Sequence, residues 1–339
     1  MGGDRAPDAV VAGVHLALKE VKAKLVLLGE EDKLRPHLSR LKALGVEFVD
    51  CGESIGMDES PVQAVRGKKD SSIVQGLKAS AADSDNSAFF SAGHSGAVFA
   101  AALLAMGRIE GVERPAIVTT LPTLGGGHCI LLDAGANIDC RPNHLRDFAY
   151  MGSTYARVYL RQARPTVGIL SNGEEESKGT DLTRAAHALL KDDPHLNYVG
   201  YVEGKEIFTG KQHVVVTDGF TGNVVLKSLE GLGKTVSAII RGELERTLFT
   251  KLGALFSMPA LRNVQRKLDY AEVGAAPLLG VDGNCFIGHG RSNALAIKNG
   301  ILRAQEAIEL RLHPILRDQF RELATAQARQ NATPVAPSR

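Results

Sequence analysis

Five short stretches of this 339-residue chain collect side chains that can hold an anion. They are Gly93-His94-Ser95-Gly96, Asp133-Ala134-Gly135-Ala136-Asn137, Asn172 to Thr180, Asp218 to Asn223, and Ile287-Gly288-His289-Gly290-Arg291-Ser292. Glycine lets backbone N–H groups come close to an oxyanion, and Ser, Thr and Asn add hydroxyl and amide donors. Lys178 adds one mobile cation to the third stretch. None of the five is a Walker loop and none reads GxGxxG, so the inventory points to a phosphoryl oxyanion held without a nucleotide motif. Each stretch also has a plainer reading. His94 alone is more often a helix-start residue than an acid or base, Glu174 to Glu176 a solvated face, and Asp133 and Asp218 lack the His-rich or paired-carboxylate spacing of a metal site. There is no GxSxG elbow and no catalytic-cysteine signature, so a covalent acyl-enzyme is not favoured.

Such loops must be carried by elements, and the hydrophobic pattern supplies them. Thr166 to Asp181 is typical: a short β-branched run after Pro165, a polar glycine-bearing loop, then a helix start. Open α/β proteins place small ligands at that junction. Earlier, strands over Lys24–Leu28 and Glu47–Cys51 alternate with helices over Pro7–Lys22 and Glu31–Leu44, followed by a helical region from Pro61 to Ala82. Ala88–Ser91 feeds a buried helix at Ser95–Met106, and strands Ile117–Leu121 and Cys129–Asp133 flank a glycine-rich hairpin. Helices Asn143–Arg161, Leu182–Leu190 and Val224–Arg246, with strands Tyr198–Glu203 and His213–Thr217, continue the alternation. A short strand follows Gly283, and a last helix spans Arg291–Leu312. The pattern predicts an α/β unit over 1–312 with a mostly parallel, doubly wound sheet. Residues 313–339 are set apart as an extension, expected to fray from about Ala324.

Composition narrows the function. A net charge of +2, 5% aromatics and no Trp exclude a strongly electrostatic or stacking-based nucleic-acid binder. Four cysteines without CxxC or metal spacing fit reduced, buried thiols in the cytosol. Ala88 to Gly107 has spanning length but contains His94 and a Ser-Gly turn, so it reads as strand plus helix, and no signal peptide is visible. One region stands apart. Arg246 to Lys267 contains Arg246, Lys251, Arg262, Arg266 and Lys267 and no acidic residue. Leu248, Leu252, Leu255 and Phe256 share one helical face, with Met258 beside them, and Gly253 and Pro259 interrupt the run. It reads either as a tip that touches an anionic membrane surface or as part of a dimer interface.

At these loops the sequence resembles the bacterial phosphate acyltransferases, which act on acyl carrier protein and phosphate. The resemblance rests on Met1-Gly2-Gly3-Asp4 with Ala6-Pro7, Gly93 to Ala97, Leu132 to Asn137, Asn172 to Glu175 with Lys178-Gly179, Asp218 to Phe220 with Gly222-Asn223, and Gly280 to Gly283 with Ile287 to Gly290. It runs from Met1 to about Leu312. Arg5 stands where histidine is expected, so no role is carried to it, and the family's usual strand before the Met-Gly-Gly-Asp loop is expected to be missing. The resemblance implies a fold like the isocitrate and isopropylmalate dehydrogenases and a homodimer, and the Arg246–Lys267 stretch is expected to form a helical hairpin protrusion from it. It also implies transfer of a fatty acyl group from acyl carrier protein to inorganic phosphate, without a cofactor. The acyl phosphate would feed the membrane glycerol-3-phosphate acyltransferase, from a cytoplasmic protein reversibly bound to the inner membrane face. On that basis Lys178 and Asn172 bind phosphate or the developing oxyanion, and His94 or His289 protonates the departing thiolate or donates a hydrogen bond. Ser95, Asn137, Gly173, Thr180, Asp218, Asn223 and Ser292 line the substrate site. Arg262, Arg266 and Lys267 are the candidates for docking the acidic carrier protein. The rival readings are a dehydrogenase on the same fold and a non-catalytic membrane scaffold.

Overall fold

The computed structural model describes residues 2–268 and 270–332, with the side chains of 265–270 and 327–332 outside the description. In chain order the elements are α1 (Asp8–Ala17), β1 (Val26–Gly29), α2 (Glu31–Ala43), β2 (Glu47–Asp50), α3 (Pro61–Gly67), α4 (Ser72–Ala81), β3 (Ala88–Ser91), α5 (Ser95–Ala105), β4 (Ala116–Ile117), β5 (Thr119–Pro122), β6 (His128–Leu132) and α6 (Pro142–Tyr159). They continue as β7 (Thr166–Ser171), α7 (Asp181–Leu190), β8 (Asn197–Glu203), a 3-10 turn (Gly204–Phe208), β9 (Val214–Val216), α8 (Gly219–Glu245), α9 (Leu248–Leu268), α10 (Tyr270–Val273), β10 (Ala276–Leu279), β11 (Asn284–Ile287), α11 (Ala294–Glu309) and α12 (Leu312–Ala332).

The strands form three hydrogen-bonded groups where the pattern predicts one sheet. A five-stranded sheet has the order β5-β6-β9-β7-β8, a four-stranded sheet β3-β11-β10-β4, and β1 and β2 form a parallel pair. In the larger sheet β6, β9, β7 and β8 are mutually parallel and β5 is an antiparallel edge. In the smaller one β3 and β11 are parallel, while β10 runs against β11 and β4. The predicted strand Ile117–Leu121 is the reason two sheets read as one. Its first half pairs with β10 and its second half with β6, so the chain changes sheet at the buried Val118. β10 itself went unpredicted, because Ala276-Pro277-Leu278-Leu279 lacks the β-branched residues that mark strands.

Burial follows from composition. β9 is Val214-Val215-Val216, entirely buried at the centre of its sheet. α6 lays Leu145, Phe148, Met151 and Tyr155 on one face of that sheet, against Ile130, Leu132, Val167 and Ile169. The other face, with Cys129, Leu131, Leu170 and Val215, is partly covered by Val225 and Leu229 of α8. α3, α4 and α5 cover the smaller sheet through Val65, Leu77, Val98 and Ala102. At about 1.5–3 kcal/mol per fully buried large apolar side chain, these layers hold the loops at the strand ends in register.

Two features differ from the sequence reading. The region from residue 313 is helical, and Leu312, His313, Leu316 and Phe320 of α12 are buried, so the packed fold extends past the predicted limit of 312. Residues 333–339 of the expected tail lie outside the described residues. α9 runs through Gly253 and Pro259 without a break. The proline withholds an N–H from the carbonyl of Leu255, which sits on an exposed turn where water can serve it.

Candidate functional site

Parallel strands place the loops at their C-terminal ends side by side. On the smaller sheet β3 and β11 are neighbours, so Gly93-His94 and Ile287 to Ser292 lie together. The Gly2-Gly3-Asp4 turn seals them: the Asp4 N–H donates to the Gly290 carbonyl at 2.7 Å. Gly3 sits at φ 95°, and a Cβ there would stand 2.8 Å from the same carbonyl oxygen, which leaves only glycine at this turn.

His289 is half-buried. Its Nδ1 accepts the backbone N–H of Arg291 at 3.1 Å, so the neutral ring carries its proton on Nε2. Burial, then the nearby Lys227 ammonium, holds its pKa below the ordinary imidazole value, with Arg291 acting in the same sense and Glu230 and Asp4 opposing. His94 precedes α5 and sets its Nε2 3.2 Å from the Glu59 carbonyl oxygen. Ser95, in the first turn of α5, is exposed. Ser292 is 3% exposed, and its hydroxyl has no hydrogen-bond partner among the described residues.

On the larger sheet β6, β9 and β7 bring their loops to one edge. Asp133, fully buried, organises them. Its carboxylate accepts from the N–H groups of Ile117, Gly135, Ala136 and Asn137 and from Asn137 Nδ2, at 2.7–3.1 Å. Burial pushes its carboxyl upward against the pull of those donors. A Cβ on Gly219 would lie 2.8 Å from Asp133 Oδ2, and one on Gly222 would collide with the Asp133 carbonyl oxygen. The start of α8 is thereby pressed onto this loop.

Three predicted substrate ligands belong to this scaffold. Asn137 commits its amide hydrogens to Pro115 O at 2.7 Å and Asp133 Oδ2 at 2.8 Å. Thr180 caps α7 by accepting from Thr183 N, and Asp218 caps α8 by accepting from the N–H and hydroxyl of Thr221. Each therefore orients a helix or loop through the group assigned to substrate.

The remaining candidates lie in the loops at the strand ends and the first turns of α8. Asn172 Oδ1 accepts from Gly179 N at 2.9 Å, closing the 172–179 loop and leaving its amide NH2 for a ligand. Gly173 is buried beneath the stem of Lys178, where a Cβ would meet Cγ at 2.8 Å. The Lys178 side chain is exposed and makes no ion pair among the described residues. Asn223 is exposed beside Gly135. Further along α8, Lys227 and Glu230 share the face of Asn223, at helical spacings of four and three residues.

The docking and tip candidates lie elsewhere, on α9. Leu248, Leu252, Leu255 and Phe256 are exposed, the last at 83%, and Met258 at 37%. Arg262 is exposed too, whereas the side chains of Arg266 and Lys267 lie outside the described residues. No helix among the described residues is long and apolar enough to cross a membrane.

Comparison with known proteins gives a consistent neighbourhood. A phosphate acyltransferase of Syntrophotalea carbinolica is 49% identical over 315 residues, 92% of this chain and 90% of the relative. One from Pelotomaculum thermopropionicum is 45% identical over 332 residues, 98% and 96% of the two chains. Among solved structures, a branched-chain phosphotransacylase from Enterococcus faecalis V583 superposes with a TM-score of 0.56 at 13% identity, over 90% of this chain and 96% of that one. A phosphotransacetylase from Staphylococcus aureus gives 0.56 at 15% identity, over 90% and 91%. The mixed α/β fold is therefore the phosphotransacylase fold. The family model described as fatty acid synthesis protein matches residues 1–313, and the chain belongs to that family.

Proposed function

We propose that this acyltransferase moves a fatty acyl group from the thioester of acyl carrier protein to inorganic phosphate, giving an acyl phosphate and a free carrier thiol. The carrying observation is the loop after β7: Asn172 and Lys178 present an amide and an ammonium at the strand ends, in a chain whose relatives are phosphate acyltransferases. In the proposed step a phosphate oxygen attacks the thioester carbonyl carbon. The carbonyl becomes a tetrahedral oxyanion, the C–S bond breaks, and the sulfur leaves with the electron pair and takes a proton. Phosphate is anionic at neutral pH, so positioning and oxyanion stabilisation outweigh base catalysis. Lys178 and the Asn172 amide neutralise and orient phosphate, Ser95 and Asn223 add donors, and the Nε2–H of His289 serves the oxyanion or the departing sulfur.

The donor and setting extend that reading. Arg262, Arg266 and Lys267 suit an acidic carrier protein. The exposed apolar face of α9, bracketed by Lys251 and Arg262, suits reversible contact with the anionic inner membrane surface from the cytoplasm. The product would pass to a membrane glycerol-3-phosphate acyltransferase, and α8 with α9 offers apolar surface for a homodimer through Leu232, Ile239 and Ile240. Incubation with acyl carrier protein thioester and phosphate tests the reading, with free thiol and hydroxylamine-trapped acyl phosphate scored together and NAD reduction run in parallel. Equal yields of thiol and acyl phosphate are expected; NAD reduction without either product would favour the dehydrogenase reading instead.

A further inference from the structure

We infer that Lys68, through Glu59, is a positioning residue of the acyl-transfer site: it fastens the 52–60 segment across the two histidine loops and holds the His94 ring with its hydrogen on Nε2. The inference rests on the acyl-transfer reading of these loops. It goes beyond that reading by naming a group outside them that sets which nitrogen of His94 can act.

The segment between β2 and α3 has little apolar anchorage. Of residues 52–60 only Ile55 is buried, so polar contacts must fix the rest. Lys68, just past the end of α3, ties them together. Its ammonium donates to the Ser54 carbonyl at 2.8 Å and to Glu59 Oε1 at 2.7 Å. The same Oε1 accepts the Gly56 N–H at 2.6 Å. Ser54, Gly56 and Glu59 thus meet at one half-buried ion pair, and hydrogen bonds to charged groups are the strong class.

This strap touches both histidine loops. The Glu59 carbonyl lies 3.2 Å from His94 Nε2, and a carbonyl only accepts, so that nitrogen carries the hydrogen. A Cβ on Gly96 would stand 2.9 Å from Pro61 Cγ and 3.2 Å from His94 Cε1. The ring and the start of α3 therefore rest on the same glycine of α5. At the other loop, a Cβ on Gly290 would meet Met57 Cε at 3.6 Å and Asp4 Oδ1 at 3.5 Å. The two loops are themselves joined where the Gly288 N–H donates to the Ser91 carbonyl at 2.8 Å.

The tautomer decides what the ring can do. A neutral His94 with its hydrogen on Nε2 presents Nδ1 as a lone pair. His289 is its opposite, accepting the Arg291 N–H at Nδ1 and carrying its hydrogen on Nε2. In the proposed reaction hydrogen phosphate loses its proton and the carrier sulfur gains one. A neutral His94 held by Glu59 can take that proton only at Nδ1, and returns it from there. Placement matters in such a step, since a shift of about 1 Å costs up to about a hundredfold in rate.

The test is a double-mutant cycle on the whole protein, with inorganic phosphate and acyl carrier protein thioester as substrates and thermal midpoints measured throughout. Lys68→Met is compared in the wild-type and His94→Gln backgrounds. Glutamine keeps an N–H for the Glu59 carbonyl but lacks the ring nitrogen Nδ1. Expected is a fall in kcat of about tenfold for Lys68→Met and of about tenfold or more for His94→Gln, with both KM values within about twofold. Lys68→Arg should recover most of the loss. In the His94→Gln background Lys68→Met should cost less than about twofold more, because the two residues act as one unit. Glu59→Gln, which keeps an acceptor for Gly56 without the ion pair, repeats the cycle should Lys68→Met fail to fold. Equal losses in both backgrounds overturn the inference, since the strap then acts on the fold as a whole and not through His94. Wild-type turnover in folded Lys68→Met, or in His94→Gln, overturns it too and leaves the acyl-transfer reading intact. Wild-type protein that forms no acyl phosphate overturns the inference and that reading together.

Discussion

In the proposed reaction Lys178 is the residue on which the chemistry leans hardest. Its stem crosses Gly173 and its ammonium stands exposed over the 172–179 loop, so its removal should leave the fold intact. Losing a charge that stabilises a transition-state oxygen typically costs about 2–4 kcal/mol of barrier. Lys178→Ala should therefore lower turnover by about 10²–10³ with an unchanged unfolding midpoint; near wild-type turnover would remove the residue from the site. His289 makes a second test at this scale. Burial and then Lys227 lower its pKa, so the folded ring is neutral at pH 7 and takes up a proton only as pH falls below the ordinary value of about 6.5. Activity should fall along an acid limb placed below that value, and His289→Gln should abolish the limb. A limb that persists in the variant assigns it to another group. The sequence named His289 and Lys178 through their glycine-flanked, cationic surroundings. It could not separate Asn137, Thr180 and Asp218 from ligands, because a capping oxygen and a substrate-binding oxygen belong to the same residue types. In the fold these groups meet Thr183, Thr221 and the Asp133 cage.

Most elements were legible because their burial is periodic and their ends carry breakers. β3, β7 and β8 and the helices that follow β3 and β7 fall within a residue or two of their predicted limits. The failures have a common cause in tertiary pairing. A single apolar run was divided between two sheets at Val118, β10 was hidden by Ala276 and Pro277, and the first turn of α8 began inside a stretch that reads as loop. Glycines 219 and 222 look like turn residues from sequence; they are glycine because α8 packs onto Asp133. α9 packs on α8 and leaves an apolar face exposed. Leu255 and Phe256 are both largely exposed, and a few such side chains entering a lipid interface would supply several kcal/mol at about 1.5–3 kcal/mol for each full burial. Basic neighbours Lys251 and Arg262 add about 1 kcal/mol each near anionic lipid. Replacing Leu255 and Phe256 with glutamate is therefore expected to release the protein from anionic liposomes while acyl transfer in solution survives. Loss of both properties together would make the face a structural interface, and loss of neither would refute the membrane reading.

For the whole molecule, stability and activity can be read separately. Asp147 on α6 is 2% exposed beside Arg146 and accepts the Glu113 N–H at 3.1 Å. Burial pushes its carboxyl up to about 6. The folded state thus favours the protonated form, and the carboxylate destabilises the protein as pH rises through the interval between the unfolded and folded values. Asp147→Asn keeps an acceptor for Glu113 without the charge. It should stabilise the fold by about 1–3 kcal/mol at pH 7, since a tenfold change in proton affinity is worth about 1.4 kcal/mol. The gain should vanish as pH falls below about 4, the ordinary aspartate value; equal unfolding midpoints at pH 7 would speak against it. Activity turns on a different point: in the proposed reaction phosphate attacks the thioester directly, in one site, with no acyl group passing through the protein. Rapid-mix measurement of thiol release from acyl carrier protein thioester, with and without phosphate, distinguishes direct attack from an acylated protein. Direct attack gives no thiol burst without phosphate and, with it, thiol and acyl phosphate rising together in equal amounts. A burst stoichiometric with protein in the absence of phosphate would overturn it.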